Sequence, residues 1–132
     1  MKNAVLLLGV VFALSLLGYA KSDGSWLKRV SESDRQRTNP FAGDREAAAA
    51  GRNLFLNNCA KCHGENATGK GSRPSLRSER LQRATDGEIA WILKNGNPYK
   101  GMPSWGGLPE LERWQIVAYI RSLNATSAEP HP

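Results

Sequence analysis

The chain has 132 residues, with 18 Lys and Arg against 12 Asp and Glu and a net charge of +6. That length allows one small domain. Its basic surface lacks the aromatic interleaving and fold signatures of nucleic-acid binders, which excludes nucleic acid and favours acidic proteins or anionic membrane surfaces as partners.

Lys2 is followed by an uncharged, mostly apolar run from Ala4 to Ala20, where Gly18 and Ala20 form an A-x-A-like cleavage pattern. Residues 1–20 therefore read as a signal peptide or N-terminal membrane anchor. A helix over residues 4–20 reaches roughly 25 Å against a ~30 Å hydrocarbon core, which favours cleavage near Ala20 over a retained tether. Either outcome predicts a periplasmic or extracytoplasmic domain, with membrane association through residues 4–20 if the segment is kept. Residues 21–38 are polar and charged and read as a linker, with Trp26, Leu27 and Val30 isolated within it. The folded domain is expected over residues 39–124 and a disordered tail over 125–132.

Three main helices are predicted in that domain. The first starts at Asp44 as N-cap, carries Ala47, Gly51, Leu54 and Phe55 on one face, and ends immediately before Cys59. The second opens with Thr85 and Glu88 in capping-box spacing and stops at Gly96 and Pro98. In the third, Pro109 suits the first helical position and Ile116, Tyr119, Ile120 and Leu123 repeat at helical spacing. No segment alternates long enough to predict a strand, so the fold class is all-α. Loops from Gly64 to Leu76 and from Asn97 to Gly107 are long for so small a domain, and a large apolar ligand would give them something to pack on.

Both cysteines of the chain sit in Cys59-Ala60-Lys61-Cys62-His63. A disulfide here would close a tiny loop and constrain little. A thioredoxin-like pair expects a βαβ setting that is missing. Zinc normally takes four ligands, and the only further histidine is His131 in the tail. C-x-x-C-H is the signature of covalent haem attachment. Residues i, i+3 and i+4 share one helical face, so two thiols can bond the haem vinyl groups while the imidazole lies beneath the iron. A low-spin haem wants a second axial ligand, often a methionine sulfur. Apart from Met1, the chain offers only Met102, between Gly101 and Pro103 on a glycine-rich loop. His63 and Met102 are the expected metal ligands.

The region from Asn39 to Leu123 resembles the class I cytochromes c, small single-haem proteins with His/Met ligation. Gly51 and Phe55 stand where that family carries a glycine and an aromatic ahead of the first haem cysteine, and Tyr119 matches the last-helix aromatic that crosses them. The segment "RPSL" is similar to the family's Pro-x-Leu. The resemblance implies that the Pro74 carbonyl accepts a hydrogen bond from His63, that Leu76 packs on the haem edge, and that Trp105 of "GMPSW" lies near the haem. It implies one-electron transfer through one covalent haem c, without enzymatic turnover. An exported dehydrogenase as donor and a respiratory oxidase complex as acceptor would fit, both acidic where they dock. The alternative is a haem enzyme or ligand sensor with an open or labile sixth iron site. The arginines Arg73, Arg77, Arg80 and Arg83 follow no family pattern and read most simply as a solvated face, the alternative being a docking patch or contacts to the haem propionates.

Overall fold

The computed structural model describes residues 23–125; residues 1–20 and the tail beyond 125 lie outside them. Six α-helices follow in chain order: α1 (Glu32–Arg35), α2 (Arg45–Asn58), α3 (Ala60–His63), α4 (Glu79–Arg83), α5 (Asp86–Asn95) and α6 (Glu110–Ala125). Two 3-10 turns, Ser25–Arg29 and Pro98–Lys100, complete the set. Among the described residues there is no strand, only the isolated bridges Lys70–Arg73 and Asn97–Met102. Among them, too, no helix is long and apolar enough to cross a membrane.

The three long helices start and stop where their chemistry dictates. The Asp44 carboxylate accepts the Ala47 N–H at 3.0 Å, relieving one unpaired donor at the start of α2. The α5 capping box is complete: Glu88 N–H donates to Thr85 Oγ1 at 3.1 Å and Thr85 N–H to Glu88 Oε2 at 2.8 Å. At its far end Gly96 adopts φ +69°, and its N–H caps the Ile92 carbonyl at 2.7 Å. The helix α6 begins at Glu110, one residue later than Pro109, whose carbonyl instead accepts the Arg113 N–H at 3.2 Å.

The helices α2 and α6 cross closely. A Cβ at Gly51 would lie 1.9 Å from the Gln115 carbonyl oxygen, so only glycine permits the approach. One turn on, the Phe55 and Tyr119 rings meet at 5.1 Å between centres, tilted by 48°. Ile89 of α5 and Ile116 and Val117 of α6 fill the neighbouring core and are fully buried.

Of the segment read as a polar linker, residues 23–38 are described, and they pack on the domain instead of standing free of it. Trp26 and Val30 are buried against Ile89, Leu93 and Ile120. The start of α5 meets the end of α1 so tightly that a Cβ at Gly87 would lie 1.9 Å from the Asp34 carbonyl oxygen. Thr85 Oγ1 donates to the Arg35 carbonyl at 2.9 Å, and Arg35 pairs with the buried Glu88. Arg37 pairs with Glu110 and stacks 5.2 Å from the Trp114 ring centre. Polar composition hid this because the burial rests on two side chains, spaced four apart, and on partners in α5 and α6 far along the chain.

Two substitutions test this arrangement. Trp26→Ala is expected to cost about 3 kcal/mol in denaturant unfolding of the haem-loaded protein; a change within ~0.5 kcal/mol, as for a surface site, would mean a solvated tether. Gly51→Ala should lower the thermal midpoint through a loss of roughly 1–3 kcal/mol from overpacking, and an unchanged midpoint would contradict the close crossing.

Candidate haem site

The helix α2 ends by handing its hydrogen-bond ladder to the motif. Cys59 N–H bonds the Phe55 carbonyl at 2.7 Å, and one further turn, α3, is closed by the His63 N–H on the Cys59 carbonyl at 2.9 Å. This turn carries Cys59, Cys62 and His63 onto the wall of a cavity of about 680 Å³, inside the ~300–1,000 Å³ range of small-molecule and cofactor sites. Both cysteines are free thiols. Burial, and secondarily the neighbouring Cys62, push the Cys59 thiol up to about 11.

His63 Nδ1 lies 2.8 Å from the Pro74 carbonyl oxygen. A carbonyl only accepts, so Nδ1 carries the proton and Nε2 keeps its lone pair for a ligand role. Burial holds the His63 pKa below its ordinary value; the Pro74 bond opposes that shift and the Arg73 charge adds to it. The loop that delivers Pro74 is secured by backbone bonds from Gly69 N–H to the His63 carbonyl and from Leu76 N–H to the Ala67 carbonyl, both 2.8 Å.

The remaining expected residues reach the same cavity from other elements. Met102 and Trp105 arrive on the loop between α5 and α6, and Pro74 and Leu76 on the loop after α3. The loop between α5 and α6 is docked on the end of α5: Trp105 N–H bonds the Leu93 carbonyl at 2.9 Å, and Ser104 Oγ donates to the Lys94 carbonyl at 2.6 Å. The loop thereby satisfies carbonyls that a helix end leaves open. Ile89, Ile92, Leu93, Ile116 and Ile120 give the cavity an apolar floor.

Two contributors were missed in the sequence. Trp26 lines the cavity; its signal was its presence, with Val30, in an otherwise polar stretch. The arginine group divides instead of forming one solvated face. Arg73 Nη1 donates to Cys62 Sγ at 3.0 Å, and Arg80 lines the cavity as well. Arg77 bonds the Asn66 and Leu123 carbonyls at 2.8 and 3.2 Å, whereas Arg83 pairs with Glu79 on the surface.

The donor set fits a haem. Two unpaired thiols, an oriented neutral imidazole and a thioether converge on one apolar cavity. Among the described residues no group of three or more His, Cys, Asp and Glu side chains is gathered to hold a bare metal ion. Fold and site together define a class I c-type cytochrome. The chain belongs to the family described as cytochrome C oxidase, cbb3-type, subunit III, whose sequence profile matches residues 46–120.

Relatives agree with that assignment. Cytochrome c-554(547) of Halothiobacillus neapolitanus is 37% identical over 93 residues, which cover 62% of this chain and 99% of that protein. The cbb3-type cytochrome c oxidase subunit CcoP of Rubrivivax gelatinosus is 34% identical over 100 residues, covering 73% of this chain and 31% of the subunit. The corresponding subunit FixPc of Rhizobium leguminosarum bv. viciae is 35% identical over 80 residues, covering 58% of this chain and 28% of the subunit. The chain thus spans less than a third of the length of these oxidase subunits. Among solved structures, cytochrome cL of Methylophaga aminisulfidivorans MPT is similar with a TM-score of 0.55 and 30% identity, over 63% of this chain and 57% of that one.

Proposed function

We propose that this protein is a one-electron carrier holding a single haem c, bound covalently through Cys59 and Cys62 with His63 and Met102 as axial ligands. The observation that carries this reading is the convergence of those four side chains on one cavity, three from the turn that ends α2 and one from the loop between α5 and α6. When bound, the haem supplies one-electron exchange between its ferric and ferrous states. The chain's own residues do the rest.

Cys59 and Cys62 anchor the group and fix its position against the α2–α3 turn. The Pro74 carbonyl keeps the His63 ring in one tautomer and one orientation, which strengthens it as a donor. Met102 would offer a bound haem iron a soft sulfur that favours the reduced metal, and the apolar floor would keep water from it; both would raise the reduction potential. Leu76 and Trp105 line the same pocket. With His63 and Met102 both engaged, no place would remain for a substrate on the metal, which is why carriage and not enzymatic turnover is the reading.

Lys70, Arg73, Arg80 and Lys100 lie around the same cavity. Such a positive rim speeds encounter with partners that are acidic around their own redox centres. An exported dehydrogenase would give the electron and a respiratory oxidase complex would take it; the oxidase side is supported by the relatives' being cbb3-type oxidase subunits. Cytochrome c maturation takes place outside the cytoplasmic membrane, so the domain works there, soluble after cleavage near Ala20 or tethered.

Met102→Ala separates this reading from a haem enzyme or ligand sensor. In the oxidised holoprotein the substitution should abolish the weak far-red band of sulfur on ferric iron and leave high-spin or externally ligated haem. A spectrum identical before and after the change would mean that Met102 is not on the iron. Electron transfer to an acidic partner should also slow several-fold between 50 and 200 mM salt, on the order expected for steered association; salt-independent rates would remove the docking role of the positive rim.

A further inference from the structure

The folded N-terminal segment touches the loop that carries Met102, and it does so at the loop's base. In a 3-10 helix, residues three apart lie above one another, so Trp26 and Arg29 of Ser25–Arg29 face the same side. Trp26 lines the cavity together with Met102. The Arg29 guanidinium lies 5.6 Å from the centre of the Trp91 ring on α5 and 5.9 Å from that of Tyr99 on the loop. Its Nη2 donates to Asn97 Oδ1 at 2.9 Å.

Asn97 is buried, and its backbone is the partner of Met102. Asn97 N–H bonds the Met102 carbonyl at 2.9 Å, and Met102 N–H bonds the Asn97 carbonyl at 3.1 Å. Just before it, a Cβ at Gly96 would lie 2.6 Å from the Pro103 carbonyl carbon, so both arms of the loop meet at this point. At the start of the Ser25–Arg29 turn the Asp23 carboxylate accepts the Ser25 N–H at 2.9 Å.

We propose that the Ser25–Arg29 turn braces the Met102 loop, and that Arg29 is the positioning residue through which the brace governs how readily Met102 leaves the iron. Arg29 acts through Asn97 and never touches the haem site itself. The aromatic faces hold its charge in place, and the bond to Asn97 locks the two-residue bridge that sets the height of Met102. This inference rests on the reading of Met102 as an axial ligand.

The test follows displacement of Met102 by imidazole in the ferric holoprotein, read from the far-red band. Arg29→Ala should exchange on the order of fivefold faster than the parent protein, as expected for losing one partly exposed charge-assisted bond and its stacking. Arg29→Lys keeps a cation over the rings and within reach of Asn97, and should stay within about twofold. Arg83→Ala removes only a surface pair and should match the parent. Parent-like exchange in Arg29→Ala overturns the brace, and so does equal acceleration in Arg29→Lys or Arg83→Ala. If Arg29→Ala yields no holoprotein, Tyr99→Ala decides, since Tyr99 is 89% exposed and not needed for the core: faster exchange supports the brace and parent-like exchange overturns it. A parent protein without the far-red band would remove Met102 from the iron and the brace with it, whereas an intact band with unchanged exchange removes the brace alone.

Discussion

Gly51 has no side chain because the backbone of Gln115 occupies that space, with its carbonyl oxygen 1.9 Å from where a Cβ would stand. This close crossing of α2 and α6 fixes the direction of α2, and α2 runs straight into the cysteine motif through the Cys59 N–H bond to Phe55. The position of Cys59, Cys62 and His63 is therefore set by packing eight residues upstream. The α6 face beside the crossing supplies Ile116 and Ile120 to the cavity floor. One helix contact thus places the attachment turn and the surface it faces in register.

The opposite wall depends on α5. Its C-terminal carbonyls would be left unpaired by the helix itself, and the Met102 loop satisfies them from Ser104 and Trp105. The chemistry that ends a helix is thereby used to hold the loop that carries Met102. Tertiary partners for α5 come from the N-terminal segment, whose α1 carbonyls meet Gly87 and Thr85. The two walls share the core formed by α5 and α6, and the cavity lies between them. A domain of this size has a modest core, and a cavity of about 680 Å³ inside it is large; a covalently held apolar group supplies what the chain lacks.

Much of this was legible in the residues. Caps at Asp44, Thr85 and Gly96 and the period of α6 are local signals, whereas the Gly51–Phe55–Tyr119 set was legible only through the family resemblance. The spacing of the motif pointed to haem attachment, and elimination in a chain with two methionines pointed to Met102, which lines the same cavity. What stayed hidden has one physical cause. Trp26, Val30 and Arg35 earn their places from residues of α5 and α6 far along the chain, and a polar stretch gives no periodicity to reveal that. Arg77 was likewise opaque, because its partners are the backbone carbonyls of Asn66 and Leu123, which carry no sequence signature.

Attachment of one haem at Cys59 and Cys62 is the claim on which the cavity, the axial pair and electron carriage all rest, and it is tested most directly by mass spectrometry of the purified, acid-denatured protein. The account predicts the chain mass plus one haem. After trypsin has cut at Lys61, the fragments bearing Cys59 and Cys62 should remain joined through that group under reducing conditions. A bare chain mass, or fragments that separate on reduction, would contradict it.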